Sequence, residues 1–487
     1  MKVLLIQPPH YYDGGSRPPT NFLLGLGYIA RVLHNAGHQV DVLDIWAHQW
    51  TNQEVIHNIQ NIDHDIIGIS AFSTQYAYVK WLIAELRKYS KAKIAVGGAL
   101  ATFSAEIVLK HTQAEICVIG DGELTFLEAL KNLDNLKTVE GIYFKQNGEI
   151  IKNSPRKYIQ NLDNIEFPDW DLFPIEIYLK NCAVFGYPNI KAMNIVTSRG
   201  CPWDCRFCSK TFSGVRLRSI DNVIDEIKEL KRRYDIRGIA FNDELVLINK
   251  QRAYELCEKI EPLQIKWSCQ GRVNNVDLDL LKRMKKAGCL SVGYGVESGS
   301  QTILDGMNKK TTVAQAHTAL RDTVKAGLIP IVQMMYGYPG ETRETLQETI
   351  DFFKNVVFLG PEIINSLRLS ATIPLPGAEL YERAVKDGLI SNEEKFLEEL
   401  SAGYMHNVQK LLVNFTDFSK DEFWRLKNDT ERMIKNEQVK RHPVRFLIGL
   451  LLLRLKQIVP YYKKWGLKAT IKTVTKKLFP LKKVIQS

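Results

Sequence analysis

Three cysteines within eight residues, Cys201-Pro202-Trp203-Asp204-Cys205-Arg206-Phe207-Cys208, carry the strongest chemical signal in this chain of 487 residues. Spacings of four and three put three thiols on one short loop. Thiolates are soft ligands, suited to iron–sulfur clusters and to zinc. A structural zinc would want a fourth Cys or His close by, and none follows within thirty residues. A four-iron cluster held by these three cysteines would keep one iron open for a ligand that is not protein. Zinc, or three cysteines with no common partner, are the alternatives.

The surrounding elements must hold that loop. Met193-Asn194-Ile195-Val196-Thr197 reads as a buried strand, and Ser198-Arg199-Gly200 turns the chain into the loop. Downstream, helical stretches alternate with apolar runs at Gly238–Phe241, Ile265–Gln270, Ser291–Val296, Ile329–Tyr336 and Asn365–Ile373. Six strand–helix repeats predict an open, partial (β/α)6 barrel rather than a closed eight-stranded one. Upstream, Lys2–Gln7, Gln39–Asp44, Asp65–Ser70, Lys93–Gly97 and Ile116–Ile119 alternate with helices, which predicts a doubly wound parallel sheet. The expected divisions are a sheet domain over 1–150, a connector over 151–190 and the barrel over 191–378. A helical cover over 379–440 and a basic tail over 441–487 follow. The fold class is α/β with a C-terminal helical region.

Polar and small residues sit where such sheets and barrels bind ligands, at the carboxyl ends of strands. In the first domain these are Pro8, Ser70, Ser73, Thr74, Gly97, Gly98, Gly120, Gly122 and Glu123; in the barrel they are Asp243, Glu244, Arg272, Glu297, Ser298 and Gly340. No GxGxxG or P-loop is present, so a nucleotide-binding domain is not favoured.

The cysteine loop, followed by Asn242-Asp243-Glu244, Gly295-Val296-Glu297-Ser298-Gly299 and Gly337-Tyr338-Pro339-Gly340, resembles the radical S-adenosylmethionine (SAM) enzymes. Pro8-Pro9, Gly25-Leu26-Gly27, Gly37-His38, Asp44, Gly97-Gly98 and Gly120-Asp121-Gly122-Glu123 resemble the cobalamin-binding domain found in front of many of them. The resemblance implies a [4Fe-4S] cluster on Cys201, Cys205 and Cys208. It implies SAM held by Phe207, Asp243, Glu244, Arg272, Glu297, Ser298 and Gly340, and cobalamin at the first domain's strand ends. It further implies an electron donor, flavodoxin or ferredoxin. The first domain departs from cobalamin proteins that ligate cobalt from below, which carry Asp-x-His-x-x-Gly. Here the loop reads Pro8-Pro9-His10-Tyr11-Tyr12, and His10 is read as a solvated loop histidine rather than a cobalt ligand. The implied activity is methyl transfer to an unactivated carbon of a hydrophobic or lipid-like small molecule. Ring closure of the anaerobic magnesium-protoporphyrin cyclase type is the second reading. An RNA-modifying methylthiotransferase would need a second upstream cysteine set, and Cys117 and Cys182 are too few.

Eight scattered cysteines give no disulfide framework, which points to a reducing cytoplasm. The net charge of +11 is uneven: residues 440–487 hold 13 Lys or Arg and no acid, leaving 52 basic against 54 acidic residues elsewhere. The apolar run Phe446–Leu453 is too short to span a bilayer, which takes roughly 18 residues. Residues 444–487, with Tyr461, Tyr462 and Trp465 among lysines, suit a helix lying at the inner membrane face. Packing on the protein body is the alternative, and nucleic acid is the least favoured partner.

Overall fold

The computed structural model describes residues 1–10, 19–182, 184, 190–357, 359, 367–405 and 412–441. The basic tail lies outside the described residues.

The first sheet has seven strands: β1 (Lys2–Gln7), β2 (Gln39–Asp44), β3 (Ile66–Ser70), β4 (Lys93–Gly97), β5 (Ile116–Val118), β6 (Ile142–Gln146) and β7 (Glu149–Lys152). Their order is β2-β1-β3-β4-β5-β6-β7. The first five pair in parallel, as expected, because helices cover both faces and the strands can be apolar on both sides. The last two pair antiparallel and were not foreseen. Their signal is Asn147-Gly148, both at positive φ (54° and 84°), the chemistry of a tight hairpin turn.

The second sheet is open and six-stranded. It comprises β8 (Ala192–Ile195), then, past a short hairpin of β9 (Ser198–Gly200) and β10 (Val215–Leu217), β11 (Gly238–Phe241), β12 (Lys266–Gly271), β13 (Cys289–Glu297), β14 (Ile329–Tyr336) and β15 (Leu367–Ala371). All six pair in parallel. This is the partial barrel that the strand–helix repeats predict. Amphipathic helices such as Ile220–Tyr234, which buries Val223, Ile224, Ile227 and Leu230, close its outside. Each such side chain contributes about 1.5–3 kcal/mol when fully buried.

One apolar cluster runs through both sheets: Leu5 and Phe22 of the first join Trp267 and Tyr294 of the second through Trp170, Phe173 and Tyr178 of the connector. The connector is also bonded both ways. Asp169 takes Arg31 and His34 of the first domain, and Asp171 takes Arg233 and Tyr234 of the barrel. Asn194 on β8 pairs its amide with both backbone groups of Phe22, at 2.6 and 2.9 Å.

The C-terminal helices divide between the two halves. Helix Lys420–Arg441 packs on the barrel helix Arg343–Val357 through Phe423. Helices Glu379–Lys386 and Glu393–Met405 return to the first domain: Tyr381, Leu397 and Leu400 share a core with Tyr76, Leu82 and Leu100. An ionic cluster seals that contact, with Lys80 on Glu394 and Glu398 at 2.8 Å each and His111 on Glu394 at 2.8 Å. No helix among the described residues is long and apolar enough to cross a membrane.

Candidate active site

The carboxyl ends of β3, β4 and β5 face the mouth of the barrel across a cavity of about 280 Å³. One wall carries Ser70, Gly97, Gly98, Gly120, Gly122 and Glu123, backed by apolar side chains such as Leu5, Leu26 and Phe126. The other wall carries Val196, Arg199, Phe212, Asn242 and Glu244. Gly98 is needed where it stands: its φ is +79°, and a Cβ there would lie 2.6 Å from the Ala71 carbonyl oxygen. Pro8, Ser73 and Thr74 do not line this cavity. They cluster at the neighbouring ends of β1 and β3, where Gln75 donates to the Pro8 carbonyl at 3.1 Å. His10 is half-buried rather than fully solvated. It packs edge-on to Trp46 (ring centroids 4.2 Å apart) and near Phe72 (5.3 Å), and burial lowers its pKa to about 4.

The cysteine loop hangs from the β9–β10 hairpin, and its turn depends on Gly200, whose φ is +85° and whose Cβ would lie 2.4 Å from the Gly214 oxygen. Neighbouring segments strap it. The Arg206 amide donates to Met307, the Leu380 amide to Arg206, Ser209 Oγ to Pro376 and Asn308 Nδ2 to Asp204. Cys201 and Cys205 are half-buried, and Cys208 is exposed. Among the described residues no three His, Cys, Asp or Glu side chains converge on one point that could hold a metal ion. The three thiols nonetheless share one loop with no histidine beside them, a donor set that fits an iron–sulfur cluster better than zinc.

The barrel residues fall into two groups. Facing the cysteine loop or the cavity are Glu244, Arg272 and Phe207. Arg272 is 6% exposed and lies over Trp203 at 4.0 Å, with Nη1 3.9 Å from Cys205 Sγ. Among the described residues its Nε and Nη2 have no partner, so a buried guanidinium fork is left for an anion. Such an orphaned fork fits a ligand carboxylate, as SAM would bring. Phe207 packs on Met307 and Tyr338, under Lys309 Nζ at 5.5 Å.

The second group is engaged internally. Asp243, 1% exposed, accepts from Thr197 N (2.8 Å), Thr197 Oγ1 (2.8 Å) and Ser198 Oγ (2.6 Å). Burial pushes its pKa up, opposed by those bonds. Glu297, at a φ of +68° beside a bulge in β13, pairs with Lys309 at 2.8 Å. Ser298 bonds Thr349 (3.2 Å) and caps Ser300 (3.1 Å). Glu123 is held by Arg199 at 2.5 Å. Gly340 forms the turn after β14, at a φ of +85°.

Arg199, Arg216, Trp203 and Lys309 also stand at the site, and nothing in the sequence singles them out as ligands: Arg199 reads there only as part of the turn Ser198-Arg199-Gly200. Lys309 follows a helix with no motif to mark it.

Fold and site together define a radical SAM barrel joined to a cobalamin-type sheet domain. Residues 195–353 match the radical SAM superfamily, and residues 17–130 match the B12-binding domain. An uncharacterised methyltransferase of Pyrococcus horikoshii is 34% identical over 406 residues, 80% of this chain and 84% of that protein. The anaerobic magnesium-protoporphyrin IX monomethyl ester cyclase of Cereibacter sphaeroides is 28% identical over 72% of this chain and 59% of that protein. The hopanoid C-3 methylase of Methylococcus capsulatus is 26% identical over 74% and 68%. Among solved structures, the cobalamin-dependent SAM radical enzyme OxsB with aqua-cobalamin and SAM bound superposes with a TM-score of 0.69, at 18% identity, over 99% of this chain and 75% of that one. The chain belongs to the cobalamin-dependent radical SAM enzymes. The two domains imply a [4Fe-4S] cluster, SAM and cobalamin as its cofactors.

Proposed function

We propose that this enzyme transfers a methyl group to an unactivated carbon of a hydrophobic, lipid-like small molecule. The observation behind this reading is the shared cavity: the strand ends of the B12-binding domain and the residues flanking the cysteine loop face one space. The similarity to a hopanoid C-3 methylase favours an apolar substrate over a charged one.

Cys201, Cys205 and Cys208 are assigned to the cluster. Arg272 would take the SAM carboxylate and Glu244 its amino group, and Phe207 and the Gly340 turn would hold the adenine. Asp243 and Ser298 shape the backbone around SAM, and Glu297 acts with Lys309. Ser70, Gly97, Gly98, Gly120 and Gly122 are the cobalamin wall, with Pro8, Ser73 and Thr74 at its margin. When bound, the cofactors supply one-electron cleavage of a sulfonium bond, hydrogen abstraction and a transferable methyl group. The chain's own residues orient these groups and keep water out. A flavodoxin or ferredoxin would deliver the electron, and residues 444–487 would hold the enzyme at the inner membrane face near an apolar substrate.

Ring closure is the second reading, favoured by the similarity to the protoporphyrin cyclase. A second cluster of the methylthiotransferase kind would have to use Cys117 and Cys182, and both are buried.

The test is anaerobic reconstitution with iron and sulfide, then incubation with SAM carrying a deuterated methyl group and a lipid extract. Bound hydroxocobalamin, 5′-deoxyadenosine and a lipid product heavier by the labelled methyl group are expected. Product that loses hydrogen without gaining the label would replace methylation by cyclisation. Retained 5′-deoxyadenosine formation in Cys205→Ala would overturn the cluster assignment.

A further inference from the structure

The cysteine loop is bolted to the B12-binding domain at both of its ends. Arg199 on β9 and Arg216 on β10 are cross-strand partners at the stem of that loop. Both reach the same carboxylate of the first domain. Arg199 places Nη1 2.8 Å from Asp121 Oδ1 and Nη2 2.5 Å from Glu123 Oε1. Arg216 places Nη1 2.6 Å from Asp121 Oδ2 and Nη2 3.3 Å from Oδ1, and donates to the Ile159 carbonyl at 2.7 Å. The side chains of Asp121 and Glu123 are 3% and 4% exposed, and those of Arg199 and Arg216 12% and 7%. Two cations and two anions make a neutral network, the condition under which charges can stay buried. Aromatic faces fix the planes: Arg216 stacks on Tyr158 and Phe212 at 4.8 Å each, and Arg199 lies over Tyr28 at 5.3 Å. Burial alone would raise the Asp121 carboxyl, but Arg216 and Arg199 outweigh it and hold it below its usual range.

Most of these residues also wall the cavity. Asp121 ends the loop after β5 and Glu123 lies in the first turn of the helix that follows; both line it, with Arg199, Tyr28 and Phe212. A ligand pressing on that loop therefore presses on the stem of the cysteine loop. We infer that this four-residue clamp couples the two cofactor sites, so that filling the cobalamin cavity holds the cysteine loop closed over its cluster. Arg199 and Arg216 are positioning residues, acting through Asp121 and Glu123. The inference rests on the functional reading above, which assigns the cavity to cobalamin. Coupling is reciprocal, so a cluster in place must equally favour cobalamin.

The test follows iron leaving the anaerobically reconstituted full-length chain into a ferrous chelator, with and without hydroxocobalamin. In the unaltered protein, hydroxocobalamin should slow iron release about tenfold, within the usual range of coupling between sites. In Arg216→Gln that protection should vanish, and Arg216→Lys, which keeps the charge but not the fork, should keep part of it. Arg216→Gln leaves Asp121 and Glu123 to share one arginine, an unbalanced buried charge that could unfold the chain. The double variant Asp121→Asn/Arg216→Gln removes both charges and should fold, bind hydroxocobalamin and still show no protection. Arg233→Gln, at the connector, should retain full protection. Undiminished protection in Arg216→Gln or in the double variant overturns the clamp. So does equal iron release with and without hydroxocobalamin in an unaltered protein that binds both. An unaltered chain that takes up neither iron nor hydroxocobalamin overturns the functional reading itself, and the clamp's role with it.

Discussion

Replacing Asp243 with alanine separates an anchor from a ligand. Its carboxylate gathers three donors from Thr197 and Ser198, the residues that lead from β8 into the cysteine loop. Hydrogen bonds contribute about 0.5–1.5 kcal/mol each once desolvation is counted, so three sum to about 1.5–4.5 kcal/mol. The net loss is about 3 kcal/mol, or roughly 6–12 °C in the Tm of a barrel this size. The assay is thermal unfolding of the apoprotein followed by circular dichroism, which SAM cannot influence. Asp243→Asn keeps one acceptor and should fall between the two. An Asp243→Ala apoprotein that melts within about 2 °C of the unaltered chain, yet binds SAM far more weakly, would show that Asp243 meets SAM directly.

Three further perturbations follow from the same geometry. Glu341 is buried beside the turn after β14, accepts from the Gly337 amide and has its pKa raised to about 7 from an ordinary 4.5 by burial. The fold therefore favours its protonated form, and stability should decline as pH rises from about 4.5 through 7. Glu341→Gln should remove that contribution to the slope, matching the unaltered chain at about pH 4 and exceeding it by up to about 3 kcal/mol at pH 8; parallel stability curves for the two proteins would refute this. Arg272→Met should weaken SAM binding roughly 10–100-fold in equilibrium dialysis, the worth of a charge-assisted fork. It should leave the apoprotein at least as stable, since an unpaired buried charge is removed. Gly98→Ala should weaken hydroxocobalamin binding, followed by its absorption spectrum, without changing SAM affinity, because the new methyl group collides with the Ala71 carbonyl and displaces the cavity wall.

Most of the scaffold was legible because its strands are apolar runs punctuated by glycine and alternate with long amphipathic helices. The hairpin of β6 and β7 escaped because half-exposed antiparallel strands, such as Ile142-Tyr143-Phe144-Lys145, carry a weak alternating pattern. At the site, the cysteines announced themselves by spacing. The roles of the acids did not. Asp243 and Glu244 are adjacent and chemically alike, yet one turns inward onto Thr197 and Ser198 while the other lines the cavity. Glu123 looked like a free carboxylate at a strand end, and only the tertiary structure reveals Arg199 against it. His10 is half-buried for the same reason, since its aromatic neighbours Trp46, on the short helix Ile45–His48, and Phe72, after β3, are distant in sequence.

The return of the chain to its first domain has a consequence for how this protein can be taken apart. The polypeptide builds the sheet, leaves to build the barrel, and comes back so that Leu397 and Leu400 complete the sheet's far core. The two catalytic halves are thus not beads on a string. A fragment ending near residue 150 would expose the apolar face that Tyr381, Leu397 and Leu400 cover, and should aggregate unless residues 379–405 are supplied with it. Exchanging cobalamin modules between relatives at the linear boundary would likewise leave a foreign C-terminal segment against the new surface. The unit that can be transplanted is discontinuous, made of the first domain together with this returning pair of helices.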